Sequence, residues 1–181
     1  MSLVIREATR IDLPDLVSVY HRAWVEAYAR LLPVKLLSPK LPVFSLERWE
    51  KTFHQPRTST FVLEDMDGAM VGFGRAGPRR DVPSPMQRPV GEIQAIYLLH
   101  HAQGQGGGRQ LMEAMGKRLI ADGFTTGICW VLASNETARE FYEHMGGERA
   151  ERRQITLGGK RLNEVSYHWP QLAEIERFET L

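Results

Sequence analysis

The sequence lacks the features that would place it at once in several broad classes. A single cysteine, Cys129, excludes an internal disulfide and favours a reducing compartment. The 23 basic and 22 acidic residues leave a net charge of +1, which argues against a protein that mainly binds nucleic acid or an anionic membrane. No apolar run reaches the roughly 18 residues of a membrane-spanning helix, and no signal peptide is recognisable. We therefore expect a cytoplasmic protein with neither nucleic acid nor membrane as a partner.

The length and composition instead predict one globular domain. The chain has 181 residues, of which 43% are hydrophobic and 25% are charged, close to the average of globular proteins. We therefore expect a single domain over residues 1–181. The six histidines show none of the spacings that are typical of metal ligands, so we expect no metal site.

Hydrophobic periodicity predicts mixed α/β structure around one sheet. Alternating or continuous apolar runs between turn signals predict strands at residues 3–8, 60–64, 69–75, 91–99, 126–132, 149–157 and 160–167. Apolar residues three or four positions apart predict helices after Asp12 as N-cap, at 34–37, 45–54, 107–121 and 135–145, and from Pro170 onward. Four prolines predict a loop with little regular structure at 76–89.

The segment from Leu98 to Leu111 carries the most chemical information. In it a predicted strand runs through a glycine-rich turn into a predicted helix. The first N–H groups of a helix lack internal partners and carry partial positive charge, so such a turn can bind phosphate. A plain flexible connection explains three consecutive glycines as well. Arg109 stands where a dinucleotide-binding fingerprint needs its third glycine, and the lysine of a P-loop is missing.

The pattern that fits is Gln-x-x-Gly-x-Gly, at Gln103, Gly106 and Gly108. A second motif, Asn-x-x-Ala-x-x-Phe-Tyr-x-x-x-Gly, covers residues 135–146. In these motifs and in the order of its elements, the sequence resembles the GNAT superfamily of acyl-CoA-dependent N-acyltransferases over nearly its whole length. The resemblance implies an α/β (α+β) fold, with a mixed, mostly antiparallel sheet of about six or seven strands and helices on both faces. It also implies acetyl-CoA as the co-substrate.

The resemblance further implies where acetyl-CoA binds. The predicted strands 91–99 and 126–132 would splay, and the pantetheine arm would lie between them like a further strand. Backbone N–H groups of the first of these strands would contact the arm, and the glycine turn would hold the pyrophosphate. Because Gln103 and Gln105 stand where the family often has Arg or Lys, phosphate binding would have less charge assistance. The implied cofactor contacts are Ile96, Leu98, Leu99, Gln103, Gly104, Gln105, Gly106, Gly107, Gly108, Arg109, Asn135 and Ala138.

Direct acetyl transfer to an amine needs a proton acceptor for the amine and a proton donor for the departing sulfur. Glu92 is the candidate acceptor, since strand alternation predicts that it shares a face with Gln94, Ile96 and Leu98, and by resemblance this strand borders cofactor and substrate. A solvated glutamate at a strand end, or a water held by Gln94 or by backbone carbonyls, is the alternative. Tyr142 is the candidate donor because the resemblance places it near the thioester sulfur; the alternative is a core aromatic.

The amine acceptor is the least constrained part of the prediction. We expect a primary amine of an unidentified small molecule, with Tyr28, Glu92 and Gln94 as candidate substrate contacts. The alternative function is a CoA-binding regulatory or sensing domain with little transferase activity, which would need neither catalytic side chain. Homodimers are common in the family that the sequence resembles, and such an assembly is left open.

Basic residues in the predicted 76–89 loop have two interpretations. Arg79, Arg80 and Arg88 are either solvated charges, as arginines in loops usually are, or contacts of an anionic substrate.

Overall fold

The computed structural model of the protein describes residues 3–81, 89–173 and 175, and its centre is a sheet of seven strands. The strands are β1 (Val4–Glu7), β2 (Ser59–Glu64), β3 (Met70–Pro78), β4 (Val90–Leu98), β5 (Thr126–Leu132), β6 (Glu148–Leu157) and β7 (Lys160–Trp169). The α-helices are α1 (Leu13–Tyr28), α2 (Leu46–Thr52), α3 (Gly107–Ala121) and α4 (Glu136–His144). Short 3-10 turns cover Arg10–Asp12, Val34–Leu37, Pro42–Phe44 and His100–Ala102.

The strands lie in the order β1-β2-β3-β4-β5-β7-β6. Every neighbouring pair is antiparallel except β4 and β5, which are parallel. A parallel pair needs a long crossover connection, and α3 provides it between β4 and β5. The predicted fold class, a mixed and mostly antiparallel sheet of this size, is confirmed.

Helices cover both faces of the sheet, as predicted. On one face, α3 and α4 pack over a cluster that includes Leu111, Met115 and Tyr142. On the other face, α1 and α2 pack over a cluster that includes Leu16 and Trp49. We call these faces the α3 side and the α1 side. Each fully buried apolar side chain stabilises the fold by about 1.5–3 kcal/mol, so the two clusters fix the sheet between its helices.

Two local predictions hold only in part. Asp12 is the N-cap residue of α1, as predicted, but its carboxylate bonds no N–H group of the helix; it accepts from the Thr9 backbone N–H (2.7 Å) and pairs with Arg6 (2.7 Å). The predicted loop at 76–89 begins too early, because β3 continues to Pro78, at the strand end where a missing N–H removes no interior ladder bond. The predicted C-terminal helix from Pro170 lies largely outside the described residues. Among the described helices, none is long and apolar enough to cross a membrane.

The pairing of β4 with β5 ends early. It runs from Val90–Thr126 to Ile93–Cys129, although both strands continue further. Residues 94–98 are only half-buried, although β4 is a central strand of the sheet. The predicted splay is therefore confirmed. We call the opening, between residues 94–98 of β4 and 130–132 of β5, the β4–β5 groove.

Candidate active site

A β-bulge lies where the β4–β5 groove begins. Ile93 and Ala95 of β4 pair with consecutive residues of β3, so Gln94 between them has no partner across the ladder. The Gln94 side chain donates from Nε2 to the carbonyl of Pro78 (3.2 Å), which ties the bulge to the end of β3. A bulge of this kind re-aims the side chains that follow it.

The bulge overturns one prediction about Glu92. Strand alternation predicts that Glu92, Gln94, Ile96 and Leu98 share a face, but Ile96 and Leu98 pack on the α3 side together with Ile93. Since neighbouring residues of a strand point to opposite faces, Glu92 lies on the α1 side. The cause is the extra residue in β4, which shifts the alternation by one.

Backbone N–H groups of β4 line the groove in an alternating pattern. The N–H of Leu99 donates to the carbonyl of Val71 in the β3 segment (2.9 Å), on the side away from β5. Consecutive N–H groups of a strand point to opposite edges, so those of Leu98 and Ile96 point toward the groove. The expected contacts at Ile96 and Leu98 fit this geometry. The expected contact through the Leu99 amide does not, because that donor is already paired within the sheet.

The glycine turn leads directly into α3. Gly106 precedes the helix with φ +82°, a left-handed conformation that glycine adopts without a steric penalty. The first bond within the helix runs from Gln110 N–H to Gly106 O, so the N–H groups of Gly107, Gly108 and Arg109 have no helical partner. A Cβ on Gly107 would lie 2.5 Å from a methyl carbon of Leu63. The start of α3 therefore lies tightly against the sheet, with its N–H groups free for an anion.

The polar side chains of the turn mostly brace the turn itself. Gln103 donates to the carbonyl of Leu98 (3.1 Å) and Gln105 to that of His101 (2.7 Å). Arg109 pairs through Nε with Glu113 one turn further along α3 (2.8 Å). Its Nη2 is buried without a hydrogen-bond partner in the described part of the chain. A buried donor without a partner suits an acceptor such as a phosphate oxygen.

Tyr142 lies behind the groove, on the α3 side. It is 6% exposed and packs in the cluster that holds Ile93 and Cys129, the last residues paired between β4 and β5. Burial raises the pKa of the Tyr142 phenol well above its ordinary value of 10.0. The phenol therefore holds its proton throughout the neutral range and can act as a donor but not as a base.

Glu92 is 2% exposed and is held by one residue of the β3–β4 connection. Its carboxylate accepts from the backbone N–H of Arg80 (2.9 Å) and from the guanidinium, with Nη2 at 2.5 Å and Nε at 3.2 and 3.1 Å from the two oxygens. The alternative of a solvated glutamate at a strand end does not match this burial. A buried carboxylate of this kind depends on its partner, because an uncompensated buried charge is strongly destabilising.

Asn135 links helix α4 with helix α1. Its Oδ1 accepts from the backbone N–H of Ala138 (3.2 Å), which caps α4, and its Nδ2 donates to the Tyr28 hydroxyl (3.2 Å). Tyr28 is 6% exposed and packs against Trp24, with ring centroids 4.4 Å apart and the ring planes tilted by 54°. Tyr28, expected as a substrate contact, and Asn135, expected as a cofactor contact, are thus joined by one hydrogen bond.

Sequence reasoning missed two tyrosines on the α1 side. Tyr97 of β4 and Tyr20 of α1 are half-buried with ring centroids 4.7 Å apart, just past the bulge. Burial raises the pKa of Tyr20 to about 12. The alternation of side chains along β4 places Tyr97 on the α1 side only when the bulge at Gln94 is taken into account.

Comparison with known proteins agrees with this geometry. The model of the acetyltransferase (GNAT) family matches residues 17–147. The uncharacterised N-acetyltransferase YuaI of Bacillus subtilis (strain 168) is 30% identical over 174 residues, which are 96% of each chain. The crystal structure of an N-acetyltransferase from Staphylococcus aureus Mu50 has a TM-score of 0.73 at 22% identity and covers 95% of this chain and 99% of its own. The PaiA N-acetyltransferase of Thermoplasma acidophilum, solved in complex with coenzyme A, has a TM-score of 0.73 at 18% identity, with coverage of 93% and 100%.

The chain therefore belongs to the acetyltransferase (GNAT) family. The family resemblance drawn from the glycine turn and the Asn135 motif is confirmed, and so is the predicted class of enzyme, an acetyl-CoA-dependent N-acetyltransferase. Within the described ranges, His, Cys, Asp and Glu side chains form no group of three that could hold a metal ion. The cytoplasmic location stays a prediction.

Proposed function

We propose that the protein transfers the acetyl group of acetyl-CoA to the primary amine of a small molecule by direct attack. The β4–β5 groove carries this proposal. It opens between two strands that pair up to Ile93 and Cys129, it exposes backbone donors along one edge, and it leads to the free N-terminus of α3. The coenzyme A in the PaiA structure supports a cofactor site of this kind.

The residues present suit the cofactor at both ends. The N–H groups of Ile96 and Leu98 would hold the pantetheine arm as a neighbouring strand would. The N–H groups of Gly107 and Gly108 and the orphaned Nη2 of Arg109 would hold the pyrophosphate. The remaining proposed contacts shape or flank these groups: Gln103, Gly104, Gln105, Gly106, Asn135 and Ala138.

Acetyl-CoA supplies an activated acetyl group on sulfur, and the side chains of the protein move the protons. An ammonium acceptor loses two protons during the transfer. We assign the first to Glu92, on the α1 side, from which it passes to solvent. Tyr142, on the α3 side, gives its own proton to the departing sulfur and is restored by the second. The two groups lie on opposite faces of the sheet at the strand that borders the groove.

The Arg80 ion pair restricts how Glu92 can act. Both carboxylate oxygens of Glu92 already accept hydrogen bonds, from the Arg80 guanidinium and from its backbone N–H. A carboxylate bound in this way is poorly placed to accept a proton. Glu92 can serve as the proton acceptor once Arg80 has another partner. A water held at Gln94 is the alternative route for the same proton.

Ligand-dependent thermal stability tests the cofactor part of the proposal. A ligand at about 100 times its dissociation constant stabilises the folded state by about 2.7 kcal/mol, which corresponds to a rise in Tm of roughly 5–11 °C for a chain of this size. We expect this rise with acetyl-CoA and with CoA and none with NAD or ATP. Absence of a rise with either CoA ligand would contradict the proposal. A rise without release of free CoA in the presence of any amine would favour the sensing domain.

A further inference from the structure

The Arg80–Glu92 pair is unequal in its exposure. The Glu92 side chain is 3% exposed, whereas that of Arg80 is 57% exposed. The guanidinium uses Nε and Nη2 on Glu92, and Nη1 makes no hydrogen bond within the described residues. Arg80 thus presents an open donor edge on the α1 side of the sheet, directly beside a buried carboxylate.

Positive charge exceeds negative charge around this pair. Arg75, paired in the ladder with Ala95 at the bulge, is 6% exposed and donates to Thr60 Oγ1 and to the carbonyl of Thr52, with no carboxylate partner in the described ranges. Burial, with the Arg80 charge nearby, lowers the pKa of Arg75 to about 10. Of these two guanidiniums, only that of Arg80 is paired with a carboxylate within the described ranges.

The rest of the β3–β4 connection does not restore the balance. Asp81 is engaged elsewhere, with Arg79 (2.5 Å) and with Arg153 of β6 (3.0 Å). Residues 82–88, Val-Pro-Ser-Pro-Met-Gln-Arg, contain no acidic residue. The local surplus of positive charge at Arg75 and Arg80 favours an anionic group in the substrate.

We propose that the amine acceptor carries a carboxylate close to its amine, as an α-amino acid does, and that Arg80 binds this carboxylate while Glu92 faces the amine. This inference rests on the proposed acetyltransferase function and narrows its substrate class. An amino acid presents the same two charges, at a similar spacing, as the pair that Arg80 and Glu92 now form with each other. The substrate would exchange both partners at once, so no buried charge is left without a counter-charge.

The exchange explains how Glu92 becomes available. In the structure its carboxylate is occupied by Arg80, and an amine without an anionic group has nothing to offer the guanidinium in return. A substrate carboxylate on Arg80 loosens the Arg80–Glu92 bonds just when the ammonium arrives. Glu92 then takes one proton from the ammonium nitrogen, which leaves the neutral amine as the nucleophile.

Matched acceptors test this substrate class. Each α-amino acid is compared with its amide and with the amine that lacks the carboxylate, so that the side chain and the attacking nitrogen are preserved. Charge-assisted pairing with a guanidinium leads us to expect kcat/KM about tenfold to a hundredfold higher for the acid. Equal kcat/KM for acid and amide would overturn the proposal while leaving the acetyltransferase function intact.

Variants locate the effect at Arg80. In Arg80→Gln the preference for the acid over the amide should disappear, and in Arg80→Lys it should be partly kept. Arg79→Gln is the matched control, because Arg79 is the neighbouring residue but pairs with Asp81 and Glu151. Its preference for the acid should match that of the wild type. A full preference in folded Arg80→Gln, or its loss in Arg79→Gln, would overturn the assignment.

Binding separates this proposal from the proposed function. The same acid and amide pairs are titrated against the wild-type protein saturated with CoA, with Tm as the readout, so the result needs neither turnover nor a folded variant. Tighter binding of acids supports the substrate class even if no amine in the panel is acetylated, in which case only the transferase proposal fails. Equal binding of acid and amide, or no binding of either, overturns the substrate class.

Discussion

The two halves of the proposed active site, which we call the cofactor side and the acceptor side, are built in different ways. The proposed cofactor side comes from one nearly continuous stretch, from the bulge at Gln94 through the glycine turn to Arg109, and its donors are mostly backbone N–H groups. The proposed acceptor side joins segments that are distant in the chain, such as Arg80 with Glu92, 12 positions apart, and Tyr28 with Asn135, 107 positions apart. A shared cofactor can be held by backbone geometry, whereas an individual acceptor has to be recognised by side chains.

The charged groups also differ between the cofactor side and the acceptor side. On the cofactor side, the positive end of α3 and one half-buried arginine suit a phosphate. On the proposed acceptor side, the Arg80 guanidinium pairs with the Glu92 carboxylate, and Arg75 adds a second buried positive charge. A substitution on one side should therefore change the constants for one ligand and leave those for the other nearly unchanged.

The largest expected effect comes from removing the proposed proton donor. Tyr142→Phe should lower kcat by about a hundredfold or more, the usual contribution of a general acid, with the Kd for acetyl-CoA unchanged. Steady-state CoA release and equilibrium titration measure the two quantities. Because burial raises the pKa of Tyr142 well above 10.0, the wild-type donor should stay protonated and active up to about pH 10. An unchanged kcat in the variant would remove Tyr142 from the mechanism.

A smaller effect is expected from filling the space at the start of α3. Gly107→Val would place side-chain atoms where even a Cβ lies 2.5 Å from Leu63, so the helix must shift and its N–H groups lose their aim. We expect at least a tenfold rise in the Kd of acetyl-CoA by titration. The control is Gly68→Ala, at φ +78° in open space on the β2–β3 turn, which should leave the Kd unchanged. Equal effects of the two variants would mean that general destabilisation, and not the cradle, is responsible.

The cofactor side could be predicted from the sequence because its signals are local. The glycine turn and the second motif each lie within about a dozen residues, and hydrophobic periodicity fixes the strand and helix beside them. The bulge could not be predicted, because neither glycine nor proline marks Gln94. Missing that single residue reversed the predicted direction of Glu92. The expected Leu99 contact had another origin, the family resemblance, which named two consecutive amides, and of these the Leu99 amide is paired with Val71.

The acceptor side could not be predicted because its contacts join residues far apart in sequence. Nothing near Arg80 or Glu92 in the chain indicates that they pair across 12 positions, and the sequence left Arg80 open between a solvated charge and a substrate contact. Charge pairing between distant loops depends on the complete fold. Substrate class therefore follows from structure, whereas the cofactor follows from the motif.

A variant at Asp12, which belongs to neither the cofactor side nor the acceptor side, should change stability without changing activity. Arg6 hydrogen bonds, with help from Thr9, hold the pKa of Asp12 well below its ordinary value, so this pair stabilises the fold above about pH 4 and the stabilisation is lost as pH falls toward the lower pKa. Asp12→Asn should reduce the free energy of unfolding by about 1–2 kcal/mol at pH 7, with a shrinking difference in acid. Urea unfolding at pH 7 and pH 3 measures this. A difference that does not depend on pH would contradict the assignment, and kcat should not change at pH 7.

The smallest expected effect lies where the two sides meet. Asn135→Ala removes the cap of α4 together with the bond to Tyr28, whereas Tyr28→Phe removes only the bond. Loss of the cap should cost about 1 kcal/mol, or roughly 2–4 °C in Tm, and a lone neutral hydrogen bond less than that. If the sides are independent, Asn135→Ala should raise the KM of both acetyl-CoA and the amine, and Tyr28→Phe that of the amine alone. A rise in both constants for Tyr28→Phe would show that the two sides are not independent, because a hydroxyl on α1 would then shape the cofactor groove through Asn135.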